Sequence, residues 1–208
     1  MAGKSGMNYA PKGKVLHVVG EGEFKFAAVG LNHGHIYGMT SGLLDAGGEL
    51  TWVWDPDPAK RKEFLEKHPQ AIEAESEAQV LEDPDVHLVA GAAITSERCD
   101  LGCRVMDCGK DYLSDKAPFT TLEQVDRARE KVRATGRIWA VCYSERVQNE
   151  AAVYAGTLVK NDAIGRVVHV LGTGPHRLSP DTRPEWFYQK QKSGGILCDI
   201  GSHQIEQF

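Results

Sequence analysis

Phe26-Ala27-Ala28-Val29-Gly30-Leu31-Asn32-His33-Gly34-His35 is the stretch that decides the fold. Its four leading apolar residues read as a strand buried on both faces, since a strand with one wet face alternates apolar and polar side chains. A tight turn opened by Gly30 follows, and from about His35 to Ala46 the pattern is helical. A second strand is expected at Leu50-Thr51-Trp52-Val53-Trp54, which closes a strand, helix, strand unit.

The same alternation runs outward from this unit. The spacing predicts helices from about Pro58 to Lys67, near Ser76 to Leu81 and around Glu97 to Cys108, with strands over Val86 to Ala92, Asp111 to Leu113 and Ile138 to Cys142. One more helix opens with Thr120 three residues before Glu123, a capping-box spacing; it carries Val125, Ala128 and Val132 on its apolar face and closes at Gly136. Strands alternating with helices over this length predict an α/β fold with a Rossmann-type, doubly wound parallel sheet covered on both faces. Residues 1–23 are expected to be a tail or an added edge strand at Val15 to Val19, and residues 24–144 the dinucleotide-binding domain. After a boundary near Ser144, residues 145–208 begin a second unit: a helix from about Val147 to Lys160, a strand Val167 to Leu171, and a loop bearing His176, Arg177, Arg183 and Trp186.

Composition restricts the function classes. A net charge of -5 with both signs interspersed is not a nucleic-acid footprint and suits a small-molecule partner. No apolar run approaches the roughly 20 residues of a membrane helix, and Met1 to Gly6 lacks a signal-peptide core, so the expected compartment is the cytoplasm. The 5 cysteines, Cys99, Cys103, Cys108, Cys142 and Cys198, are odd in number and sit in apolar segments, which reads as reduced packing residues. Cys99 and Cys103 can share a helix face, but no histidine accompanies them as a zinc site requires.

The first turn is where a dinucleotide would bind. Such a loop needs a tight turn and a close approach of pyrophosphate to a helix N-terminus. Gly30 supplies the first glycine; Asn32 can take positive φ in place of the second, and Gly34 or Gly38 can serve close helix packing. Leu31, His33 and His35 complete the loop. Asp55, at the end of the second strand, falls where a carboxylate accepts both ribose hydroxyls, or else helps form a helix-capping turn in Asp55-Pro56-Asp57-Pro58. Its repulsion of a 2′-phosphate at about 4 Å, on the order of 4 kcal/mol, favours NAD over NADP. No metal is expected at His33 and His35, because no carboxylate or cysteine lies near them in sequence.

Two further motifs carry the chemistry. Asp115-Lys116-Ala117-Pro118 follows the fifth strand, at the carboxyl edge where doubly wound sheets bind ligands. Gly194-Gly195-Ile196-Leu197-Cys198-Asp199-Ile200-Gly201-Ser202-His203 sets a carboxylate and an imidazole four residues apart, neighbours on one helix. Together with the first turn, these segments resemble the Gfo/Idh/MocA oxidoreductases, named for glucose-fructose oxidoreductase and inositol dehydrogenase. The resemblance runs from about Phe24 to Phe208. Gly109-Lys110 before Asp-Lys-Ala-Pro, where the family usually has Glu-Lys-Pro, and Asp199-x-Gly201-x-His203 are its most specific marks. The chain departs from the pattern at the altered second and third glycines and at Ile94-Thr95-Ser96-Glu97-Arg98, where the family often has Thr-Pro-Asn-x-x-His.

The resemblance implies that Lys116, Asp199 and His203 meet over the nicotinamide, with Lys116 also touching the cofactor. His203 then acts as general acid/base, Asp199 orients it or holds a substrate hydroxyl, and Lys116 stabilises the developing oxyanion. The implied reaction is hydride transfer between NAD and a secondary alcohol of a sugar or cyclitol, with Arg146, His176, Arg177, Arg183 and Trp186 on the substrate side. Arg177 and Arg183 read equally as surface ion-pair partners. The implied second domain is α+β with an open sheet that walls the substrate site and often forms a homo-oligomer face. Most of it would follow Phe208, so the chain is expected to be a fragment. Two other readings stay open: an NAD-dependent glycosidase with no net redox change, and a non-catalytic nucleotide-binding protein.

Overall fold

The computed structural model describes residues 16–174 and 176–208. Strands β1 (Lys25–Val29), β2 (Glu49–Trp54), β3 (Ile72–Glu73), β4 (Leu88–Gly91), β5 (Asp111–Asp115) and β6 (Trp139–Cys142) form one sheet in the order β3-β2-β1-β4-β5-β6. Every neighbouring pair is parallel. The connections are α1 (His35–Asp45), α2 (Pro58–Lys67), α3 (Glu77–Glu82), α4 (Arg98–Asp107) and α5 (Leu122–Thr135).

β1 shows why both faces must be covered. Phe26 and Ala28 enter one core with Ile36, Met39, Leu50, Val53 and Phe64, whereas Ala27 and Val29 enter a second with Val80, Val89, Leu101, Val105 and Tyr112. Alternate residues of one strand point to opposite faces, so an unbroken apolar run needs helices on each side. The order of strand addition reverses between β1 and β4, which opens a crevice at their carboxyl ends.

Local chemistry sets the helix ends. Asp57 caps α2 by accepting from the Ala59 amide at 2.9 Å, and Ser76 caps α3 through the Gln79 amide at 3.1 Å. The N-cap of α5 lies one residue later than the capping-box spacing predicts. Thr121 accepts from the Gln124 amide, and the Gln124 side chain accepts from the Thr120 amide at 2.8 Å, one residue before the cap. Gly136 ends α5 in the left-handed region at φ 67°.

Two expected strands are corrected. Val15 lies outside the described residues, and Leu16 to Val19 form no strand; the Val18 amide donates instead to Ala46 O at 2.8 Å. Val167 to Leu171 are likewise irregular and exposed. A strand needs a partner for its ladder, and among the described residues beyond β6 there is none. The expected helix from Val147 to Lys160 is two: α6 (Ser144–Val147) and α7 (Glu150–Lys160), separated because Asn149 caps α7 by accepting from the Ala151 amide at 3.0 Å. Further on, α8 (Lys190–Ser193) precedes a π-helical turn, Leu197–Gly201, that runs into α9 (Ser202–Gln207). No helix of the described residues is long and apolar enough to cross a membrane.

Candidate active site

The first turn is drawn tight against the end of β4. Gly30 has φ 74°, and a Cβ there would sit 3.0 Å from Ala93 Cβ and 3.2 Å from Ala93 N, so both its conformation and its surroundings demand glycine. The His33 amide donates to Ala92 O at 3.0 Å, and the Leu31 amide to Asp55 Oδ2 at 2.6 Å. Asp55 is 1% exposed and its other oxygen accepts from the Asp57 amide, so its carboxylate ties the turn to the end of β2. Among described non-glycine residues only Asp162 and Ser179 have positive φ, so Asn32 does not replace a glycine's conformation. A Cβ on Gly38 would meet the Gln148 side chain at 3.9 Å, whereas one on Gly34 would meet nothing, which leaves open space before α1. Gly34 offers no capping side chain and no acid lies in the first turn of α1, where the His35 amide donates to His33 Nδ1 at 3.4 Å and the Ile36 amide to His33 O at 3.2 Å.

A cavity of about 480 Å³ opens there, lined by Asn32, His33, Gly34, Asp181, Arg183 and Phe187 among others. Its far wall comes from the segment before α8, where the Arg183 guanidinium lies 4.5 Å over the Phe187 ring. The Trp186 and His33 ring centres are 6.4 Å apart.

Behind this turn lies a buried polar hub that sequence reasoning missed. Asp115, wholly buried at the end of β5, receives the Lys116 amide at 2.7 Å and His35 Nδ1 at 2.8 Å on Oδ1. Its Oδ2 lies 2.9 Å from Arg98 Nη2 and 3.1 Å from His33 Nδ1. Burial opposes ionisation of Asp115, but the Arg98 charge and the two imidazoles outweigh it and hold the carboxyl well below its usual range. Arg98, 1% exposed, also donates to Ala93 O, Lys116 O and Ala117 O. His33, His35 and Asp115 offer ligand atoms within 4.8 Å of one another, so the carboxylate that sequence proximity failed to supply is brought by the fold. In this arrangement four protein donors already engage that carboxylate. The signal available in the sequence was a charged pair, Arg98 and Asp115, in otherwise apolar surroundings where a helix begins and a strand ends.

The hub carries Lys116 into the crevice. Lys116 Nζ donates to Asp199 Oδ1 at 2.7 Å and to Asp199 O at 2.9 Å, with 4% of the lysine side chain exposed. Burial raises the Asp199 pKa, yet the bond and charge of Lys116 reverse this and leave it below the ordinary value. His203 is 3% exposed, its ring edge-on to Tyr143, and Nδ1 lies 3.9 Å from Glu145 Oε2. Burial, then the Lys116 charge, lower its pKa, with Glu145 acting against them. Asp199 Oδ2 and His203 Nδ1 are buried and have no hydrogen-bond partner. The orphaned Asp199 Oδ2, on a carboxylate held by an ammonium, is what a site for a hydroxylated ligand requires.

The residues expected on the substrate side are placed differently from one another. Arg146 pairs with Glu206 of α9, and His176 Nε2 lies 3.1 Å from Glu145 Oε1. Arg177 is exposed, and Trp186 is half-buried beside the first turn.

Residues 153–208, which contain Asp199 and His203, match the model of the GFO/IDH/MocA C-terminal domain. Over these residues the chain is similar to the GFO/IDH/MocA family. A solved structure from Erwinia carotovora atroseptica, described in general terms as an oxidoreductase, is 47% identical to this chain with a TM-score of 0.85, over 89% of this chain and 56% of that one. Scyllo-inositol 2-dehydrogenase (NAD(+)) of Bacillus subtilis is 26% identical over 89% of this chain and 53% of its own length. D-xylose dehydrogenase of Paenarthrobacter nicotinovorans is 26% identical over 70% of this chain and 38% of its own. The chain thus spans about half the length of the curated relatives it matches, or less.

Proposed function

We propose that this chain is the cofactor-binding and catalytic part of an NAD-dependent dehydrogenase that oxidises a secondary alcohol of a sugar or cyclitol. The observation that carries the reading is the contact of Lys116 with Asp199 at 2.7 Å, four residues before a His203 that is 3% exposed. The xylose and inositol dehydrogenases among its relatives point to the same substrate class.

When bound, NAD supplies the hydride acceptor. The open space at Gly34 and the loop Gly30 to His35 at the start of α1 suit its pyrophosphate, and Asp55 holds that loop in place by accepting from the Leu31 and Asp57 amides. Lys116 donates to the alcohol oxygen and stabilises negative charge as it develops. His203, held neutral by burial and by the lysine, takes the hydroxyl proton. With the Nδ1 proton directed to Glu145, its Nε2 lone pair is the one that accepts. Asp199 keeps Lys116 aimed, and its second oxygen accepts from a substrate hydroxyl. Residues 24–144 form the dinucleotide domain and 145–208 begin the substrate domain, within a cytoplasmic homo-oligomer.

The test is NAD reduction by the natural full-length protein across a panel of pentoses, hexoses and inositols. NADH formation with at least one, lost in Lys116→Ala and His203→Ala, supports the proposal. Unchanged rates in both variants overturn it.

A further inference from the structure

We propose that Glu145 and His176 carry the substrate proton from His203 to solvent, which makes them a relay that the cofactor and substrate do not touch. The inference rests on the dehydrogenase reading. In that direction each turnover leaves one proton on an imidazole that is 3% exposed, and the next turnover needs that imidazole neutral. Lys116 is a cation, and Asp199 is bound to it with its pKa lowered, so neither is a good acceptor. The group that faces His203 Nδ1 is Glu145 Oε2, at 3.9 Å. Catalytic hydrogen bonds are commonly looser than this class's final geometry before ligand binds and tighten in the complex.

The other Glu145 oxygen, Oε1, is 3.1 Å from His176 Nε2, and the His176 side chain is 38% exposed. His176 Nδ1 faces Gly174 O at 3.3 Å, which fixes that nitrogen as the donor and leaves Nε2 free to receive. One carboxylate therefore joins a buried imidazole to an exposed one. The charged and titratable groups around His203 are Lys116 after β5, His35 at the start of α1, Glu145 and Tyr143 at the start of α6, and His176. Glu206 of α9 is paired with Arg146 through Oε1, and its Oε2 is buried without a partner.

The proton count closes. The substrate O–H breaks as its proton joins His203 Nε2, and the carbon-bound hydride passes to NAD. The Nδ1 proton moves to Glu145 Oε2, the carboxylic acid turns about its Cγ–Cδ bond to give that same proton to His176 Nε2, and the resulting imidazolium releases its proton to water; a turn of the His203 ring then returns its remaining proton to the Glu145 side and frees the acceptor nitrogen. One alcohol loses two electrons and two hydrogens; NADH holds the electron pair and solvent the proton.

Glu145→Gln keeps size and removes the proton-carrying carboxylate, and His176→Gln changes a residue whose side chain is 38% exposed. In the natural full-length protein, both should lower kcat for polyol oxidation, by roughly 10- to 100-fold for Glu145→Gln and less for His176→Gln, with the KM for NAD within about twofold. In both, kcat should rise with imidazole buffer concentration as an external carrier replaces the relay, while wild type is insensitive; Glu145→Asp should recover part of the loss. Rates that are buffer-independent and equal to wild type overturn the relay, as does a lost rate that no carrier restores in a variant whose circular dichroism and melting are unchanged. NMR titration of the imidazole nitrogens separates the two readings. If wild type reduces no NAD, the dehydrogenase reading fails, and the relay is still judged by whether Glu145→Gln shifts the titrations of both His203 and His176.

Discussion

Lys116 Nζ and Asp199 Oδ1, 83 residues apart in sequence, lie 2.7 Å apart in the fold. One belongs to the loop that leaves β5 and the other to the π-helical turn before α9, so this contact joins the parallel sheet to the segment that follows it. Both partners are largely withdrawn from water, with 4% and 14% of their side chains exposed. Removing one member of such a pair strands the charge of the other.

Lys116→Ala should therefore lower kcat/KM by roughly 10²- to 10³-fold, the usual consequence of losing one oxyanion donor. NAD affinity should change far less, since the first turn is untouched. Steady-state kinetics with calorimetric NAD binding tests this, and a loss confined to NAD affinity contradicts the assigned role.

His203 must be neutral to accept a proton. Its pKa is lowered by burial and by the Lys116 charge, so the acid limb of kcat/KM for oxidation should fall below the ordinary imidazole value of about 6.5. His203→Gln should abolish that limb along with most of the rate. A limb above 7 in wild type contradicts the geometry.

Arg98→Ala removes the guanidinium that neutralises Asp115 and leaves Ala93 O, Lys116 O and Ala117 O without their donor. The expected cost is about 3 to 5 kcal/mol, as for other buried ion pairs broken on one side. Urea denaturation measures it. A change under about 1 kcal/mol means that Asp115 neutralises or finds water.

His33 gives stability a pH dependence. Burial outweighs Asp115 and lowers its pKa, so between that folded value and the unfolded 6.5 the unfolded chain holds more protons. Its contribution is complete above 6.5 and is lost as pH falls through the folded pKa. Melting temperature should drop between pH 7.5 and 5.5, and His33→Asn should flatten part of that slope; an identical slope removes His33 from the account.

Much of the sheet was legible because its cause is local. Phe26 to Val29 are apolar without interruption, and the α2 limits, Pro58 and Lys67, follow from a capping Asp57 and the helical pattern after it. The Thr121 cap was misplaced by one residue because Thr120 and Thr121 are adjacent and both have an acceptor three residues on, Glu123 and Gln124; only the fold selects the second. The strand expected at Val167 to Leu171 shows the opposite limit, since β-branched residues favour a strand only where another lies beside them.

The sequence by itself determined the alternating α/β architecture, the glycine at the first turn, and the types of side chain available for proton transfer. Tertiary structure alone decided which of them meet. Asp115 is one residue from Lys116 and has no local signal of its own, yet it gathers His33 and His35 from the start of α1 and Arg98 from the start of α4 into one buried hub. Glu145 reads as an ordinary acid at a helix start until the fold sets His176 and His203 on its two oxygens. Periodicity and capping act within a few residues and are written into the chain order, whereas ion pairing and burial depend on which distant segments share a crevice. That is settled only when the sheet closes its two cores.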